Sequence, residues 1–261
     1  MLLRTEASAE FNRVTGTALD HSSIRTLNRV TCSKPAERFS DIQTRSVSAS
    51  HTQIRQVSAS PIQASATTAY GMTQKIPELT NRIQKGQKVQ LGDALSLGRL
   101  KICLGWNTTN PECDVDVSAF ILGSDGRVLG EEWFVFYGQT KSPDGSVVFS
   151  GDEPVDRESI TVSLNTLTPS AAKIVFVLTI NDAFAKHLNF SMLKDAYIRI
   201  IETGSYREIV SFSMRDYYEN VISMMIGEIY LYKGSWKFHA IGDGVARDLA
   251  GLCEFYGVEV I

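Results

Sequence analysis

Apolar and polar positions alternate with a period of two through much of the second half of this chain. Val115, Val117, Ala119 and Ile121 interleave with Asp114, Asp116 and Ser118, which is the pattern of a half-buried strand. Leu100 to Leu104, Trp133 to Tyr137, Ser146 to Ser150 and Ile160 to Leu164 read as further strands. Lys173 to Ile180 is the strongest core strand, with five β-branched residues in eight positions. Tyr197 to Ile201, Glu208 to Phe212, Gly227 to Tyr232 and Trp236 to Ile241 continue the series, the last two joined across Lys233-Gly234-Ser235. Ser124-Asp125-Gly126 and Ser142-Pro143-Asp144-Gly145 carry turn chemistry between strands.

Helical signals are few. Ser170 to Ala172 reads as a short turn and Asn189 to Asp195 as a short helix. Val245 to Tyr256 is amphipathic, with Leu249, Leu252, Cys253 and Tyr256 on one face and Gly257 as its stop. Short strands at near-regular spacing predict a mainly β fold, a two-sheet β-sandwich with few short helices.

The alternation starts near Pro77, and what precedes it has a different composition. Residues 1–71 hold eight Lys/Arg against five Asp/Glu, and Ser and Thr supply 20 of the 71. Too little apolar surface is present there to offset the backbone entropy of folding. Gln43 to Ser50 is echoed ten residues later by Gln53 to Ser60, a period too short for a solenoid. The expected organisation is therefore a disordered, Ser/Thr-rich segment over 1–75 and a β-sandwich domain over 76–261. Glu6, Glu10 and Asp20 argue against an organelle transit peptide, and no apolar core of a secretory signal follows Arg4. Met72 is an alternative start.

The net charge of -3 in 261 residues excludes a chain that seeks polyanions as a whole, so no nucleic-acid partner is expected. No apolar run approaches the roughly 18 residues of a membrane span, so no direct insertion is expected. Cys32, Cys103, Cys113 and Cys253 lack any C-x-x-C spacing, which fits a reducing, cytoplasmic setting without a disulfide framework. Phosphate-loop, serine-hydrolase and zinc-protease motifs are absent, and the four histidines lie far apart. No catalytic residue is expected.

The chemistry that remains is acidic. Asp114 and Asp116, two apart on a strand, face one side roughly 6.6 Å apart and repel unless a cation intervenes. Hard oxygen donors point to calcium, with further oxygens available from Asp144, Asp152, Glu153, Asp156 and Glu158 in the following turns. The EF-hand spacing does not apply, because Ala119 stands where that loop needs glycine. Exposed acids guarding an edge strand explain the spacing equally well, and a glycosidase pair has no accompanying sugar cleft.

Several blocks, in order, make residues 86–261 resemble the tellurite-resistance TerD family of calcium-binding stress proteins. They are Leu104-Gly105-Trp106-Asn107 with Asp114-Val115-Asp116, Phe136-Tyr137-Gly138-Gln139 with Ser142-Pro143-Asp144-Gly145, and Ser150-Gly151-Asp152. Thr179-Ile180-Asn181-Asp182, Gly227-Glu228-Ile229-Tyr230 and Trp236-Lys237-Phe238 complete the set. The resemblance implies a sandwich binding Ca²⁺ in loops at one end, a non-enzymatic role in cytoplasmic stress and tellurium resistance, and partnership with sister TerD-type proteins and a membrane partner. It assigns the metal to Asp114, Asp116 and Asp152, and Asp156 and Glu158 of the same acidic turn are expected to close the site together with Asp152. The acidic loop is shortened here to Gly151 to Glu158, so weaker calcium binding is expected. The rival expectation is a metal-free scaffold that assembles with sister subunits.

Overall fold

The computed structural model describes residues 73–92, 97–151 and 153–260. Twelve strands form two six-stranded sheets. They are β1 (Arg82–Ile83), β2 (Lys88–Gly92), β3 (Arg99–Thr108), β4 (Val115–Leu122), β5 (Phe134–Val135), β6 (Val147–Ser150), β7 (Glu158–Ser163), β8 (Lys173–Ile180), β9 (Leu193–Glu202), β10 (Arg207–Ser213), β11 (Ser223–Tyr232) and β12 (Ser235–Val245). Sheet A runs β1-β10-β9-β3-β7-β6 and sheet B runs β2-β12-β11-β8-β4-β5. Among the described pairs only β1 with β10 is parallel. The two-sheet sandwich expected from the alternation is the fold found. Residues 1–72, most of the segment expected to be disordered, lie outside the described residues.

The main core fills the space between the sheets. Val115, Val117, Ala119 and Ile121 of β4 and Ile174, Phe176, Leu178 and Ile180 of β8 face Leu100, Ile102 and Leu104 of β3 and Ala196, Ile198 and Ile200 of β9. Burying such aliphatic side chains contributes roughly 1.5–3 kcal/mol each. The alternate residues of β4 and β8 face the other way, into a second cluster. There Phe120, Leu122, Val175 and Val177 meet Leu252, Cys253 and Tyr256 of the one described α-helix, α1 (Leu249–Tyr256). Phe120 stacks on Phe134 at 4.4 Å and meets Tyr256 at 4.5 Å between centroids. The outer face of sheet A carries no helix among the described residues. It holds Cys103, Tyr197 and Arg199, which alternate with the core positions of β3 and β9.

Local chemistry sets the element ends. Asp248 caps α1, its Oδ1 accepting from Gly251 N at 2.9 Å, and Gly257 closes it in the left-handed region at φ 85°. The predicted helix is shorter than its periodicity implied because β12 runs on to Val245, paired with Ser223. Lys233 and Gly234 take φ of 50° and 79°, turning β11 into β12. Asn189 to Asp195, read as a short helix, is a single 3-10 turn at Phe190–Met192 that leads straight into β9. Trp133 to Tyr137 contributes only two strand residues, because Glu131–Trp133 coils first.

Residues just upstream of β1 are hydrogen-bonded to the sandwich. Gln74 N donates to Asn107 Oδ1 at 2.7 Å, and Asn107 Nδ2 donates back to Gln74 O at 3.2 Å. Thr80 N and Asn81 N both donate to Glu208 Oε1, at 2.9 and 2.8 Å. Residues 74–81 thus tie the loop side of sheet A to its β10 edge.

Register defines the two ends of the sandwich. Asp116 lies opposite Thr179, and Thr179 opposite Ser223, at one end. Leu122 lies opposite Lys173, and Lys173 opposite Tyr230, at the other, where the β11–β12 hairpin turns.

Candidate metal centre

The end that carries Asp116 is assembled by antiparallel pairing of β4 with β8. The start of β4 therefore sits beside the end of β8, and Asn181 N donates to Asp114 O at 2.8 Å. Asp116 has the outward parity of Phe120, so it lies on the outer face of sheet B, at the foot of the space covered by α1. Asp114 precedes the strand and is exposed, while Asp116 is half-buried. A cleft of about 50 Å³ opens here, lined by Asp116, Tyr137, Thr179, Asn181, Asp182 and Asp248 among others. That volume holds a single ion or a water or two.

Electrostatics mark Asp116. Burial, and then the negative charge of Asp114, push its carboxyl from an ordinary 3.8 up to about 7. The same two carboxylates, after burial, raise the Tyr137 phenol, so the ring stands within their field. Neither Asp114 nor Asp116 is hydrogen-bonded or ion-paired through its side chain to any described residue. Asp182, held at φ 51°, is paired with Lys186 Nζ at 3.6 Å, and Asp248 is engaged as the α1 cap.

The acidic turn expected to close the site behaves differently at each residue. Asp152 lies outside the described residues. Glu158 does come to β4: its Oε2 accepts from Val117 N at 2.9 Å, one residue from Asp116. Asp156 does not come to β4. Its carboxylate is buried on the outer face of sheet A, accepting from Tyr197 Oη at 2.8 Å and from Arg199 Nε and Nη2 at 2.9 and 2.8 Å. Both oxygens are engaged, and the sandwich, with sheets roughly 10 Å apart, separates this carboxylate from Asp116. The other two acids of these turns are also committed. Glu153 binds Lys101 at 2.7 Å and Ser159 Oγ at 2.7 Å. Asp144 sits at the opposite end, accepting from Ser142, Ser146 and Thr168. Burial pushes its carboxyl up, but those hydrogen bonds outweigh it and hold the group below its ordinary value.

The donors at the Asp116 corner fit a hard cation in kind, carboxylate and neutral oxygen. They fit it sparsely in number, because no group of three or more His, Cys, Asp and Glu is gathered for a metal among the described residues. Tyr137, Asn181, Asp182 and Asp248 were not singled out from spacing. The signal for Asn181 and Asp182 was their place directly after the strongest strand, where antiparallel pairing returns them to the D-x-D end. The described thiols offer no alternative chemistry. Cys103, Cys113 and Cys253 are buried, and burial pushes Cys113 and Cys253 up to about 12.

Known proteins resemble this sequence. A "Tellurium resistance protein TerD" of Serratia marcescens is 35% identical over 185 residues, covering 67% of this chain and 96% of its own length. "General stress protein 16U" of Bacillus subtilis is 33% identical over 192 residues, covering 70% of this chain and 100% of its own. A solved homologue of the telluride resistance protein from Streptomyces coelicolor A3(2) is 23% identical, with 59% of this chain and 93% of that one covered and a TM-score of 0.46. The TerD domain profile matches residues 79–256, which takes in both sheets from the last residues before β1 to the end of α1. This chain belongs to the TerD family.

Proposed function

We propose that this protein is a non-enzymatic, calcium-binding stress-response protein of the tellurium-resistance type, working in the cytoplasm beside sister TerD-type subunits and a membrane partner. The observation that carries the metal reading is Asp116. Its half-buried carboxyl is driven up to about 7 with Asp114 beside it and no described donor to balance the pair. A divalent cation is the ligand that relieves both burial and repulsion at once. Asp114 and Asp116 would hold it, and Asn181 and Asp182, which line the same cleft as Asp116, would offer further oxygens, while Glu158 reaches β4 one residue away at Val117. Bound calcium would supply the positive charge that Asp114 and Asp116 lack at the start of β4. A ligand selective for the folded state then stabilises it and fixes the surface seen by a partner. The names of the relatives support the stress-resistance part of this reading.

A metal-free scaffold is the second reading, favoured by the sequestration of Asp156 and the sparse donor set. Isothermal titration with CaCl₂ after EGTA treatment, read beside the melting temperature, separates the two. Calcium binding predicts heat below millimolar calcium and a rise in melting temperature that Asp114→Ala with Asp116→Ala abolishes. No heat and no rise in the parent chain leave the scaffold reading. An equal rise in the double variant places the ion elsewhere.

A further inference from the structure

The outer side of sheet B carries opposite charges at two diagonal corners. At the β4 corner, Glu112 and Asp114 are exposed and Asp116 half-buried, and none is ion-paired to a described residue. Two aromatic side chains flank them, Tyr137 at 52% and Phe184 at 44% exposure. At the opposite end, on β2, in the β11–β12 turn and on β12, stand Lys88, Lys233 and Lys237. Their ammonium groups lie over tyrosine rings: Lys88 over Tyr230 at 5.9 Å, Lys233 and Lys237 over Tyr232 at 5.4 and 4.5 Å. The carboxylate on that surface, Glu228, is already taken by Lys173 at 2.9 Å and His239 at 3.1 Å, so it does not neutralise these three lysines. Tyr232 is exposed there. Each corner therefore offers an apolar rim and an unbalanced charge, and the two charges are opposite.

A two-fold contact through either corner sets like charge against like. Joining the lysine corner of one copy to the acid corner of the next sets lysine against carboxylate and aromatic rim against aromatic rim, and repeated from copy to copy it runs head to tail. We propose that copies of this chain associate head to tail, the Lys88, Lys233 and Lys237 corner of one copy seated on the Glu112, Asp114 and Asp116 corner of the next. A polyanion or an anionic bilayer answers only the lysine corner. A second copy answers both. Exposed ion pairs are individually weak and screened by salt, so the association is transient.

The full chain in EDTA, followed by sedimentation velocity, tests this independently of calcium, so a failed calcium titration leaves it standing. Wild type associates at low salt and weakens roughly tenfold or more when NaCl is raised well past the screening range. Lys233→Glu with Lys237→Glu sediments as a monomer, as does Glu112→Lys with Asp114→Lys, and an equimolar mixture of the two recovers association. A wild type that stays monomeric at low salt overturns the proposal. So does association that survives in either variant alone, or a mixture that fails to recover it. Phosphatidylserine vesicles form the last arm: a monomeric wild type that binds them, with binding lost in the Lys233→Glu, Lys237→Glu variant, assigns that corner to a lipid surface instead.

Discussion

Replacing Asp116 with Asn removes a charge that the fold holds at a cost, so the variant is more stable than the parent at neutral and alkaline pH in the absence of metal. The folded carboxyl titrates at about 7 and the unfolded one near 3.8. Below pH 3.8 the group is protonated in both states and contributes nothing. Between the two values the folded chain keeps a proton that the unfolded chain has released, so stability falls as pH rises. Above 7 both are ionised and the full cost is present. At about 1.4 kcal/mol per pH unit the displacement corresponds to roughly 4 kcal/mol, and the partial solvent access of Asp116 brings the expected gain to about 2–3 kcal/mol. Urea unfolding in EDTA at pH 8 and pH 4, followed by tryptophan fluorescence, measures it. The variant gains about 2–3 kcal/mol over wild type at pH 8 and close to nothing at pH 4. Equal stability at pH 8, or a gain that does not shrink on acidification, refutes the assignment of an uncompensated charge to this position.

Two further outcomes follow from the buried groups. Asp156→Ala leaves Arg199 buried without its partner and costs about 3–5 kcal/mol in urea unfolding, whereas Asp156→Leu with Arg199→Met recovers most of that loss; a loss below 1 kcal/mol in the single variant would contradict the buried pair. In a Cys32→Ser chain, native protein at pH 8 leaves Ellman's reagent unreacted over minutes while urea releases three thiols, because the described cysteines are buried; rapid native reaction of Cys113 contradicts its burial.

Most of the strand series is legible because alternation records which side of a strand meets apolar neighbours. Lys173 to Ile180 is read to the residue, since every second side chain enters the main core and the others meet α1 or neighbouring strands. Where the reading stops short, tertiary contacts extend the element. β12 continues past Ile241 through Gly242, Asp243 and Gly244, residues poor in strand propensity, because β11 offers a ladder to pair with. β1 and β2 escape notice for the opposite reason. Both are edge strands too short for alternation to stand out: Arg82–Ile83 has two residues, and Lys88–Gly92 turns only Val89 and Leu91 toward the core.

The candidate site shows a sharper limit. Alternation tells inward from outward on one strand, but it does not tell which sheet the strand joins. Asp116 and Asp156 both read as polar positions beside β segments, and closeness in sequence makes them look like partners. The chain changes sheets between β5 and β6, so outward on β4 and outward near β7 are opposite sides of the sandwich. Asp156 thus meets Arg199, while Asp116 is left facing α1. Glu158 escapes this separation because it lies opposite Leu104, with inward parity at the strand's first residue. From there its carboxylate crosses to the free edge of β4 at Val117. In the calcium reading proposed above, an ion at this end would be held by Asp114 and Asp116 of sheet B, with Glu158 at the start of β7 the acid of the preceding turn that reaches β4, while Asp156 holds Arg199.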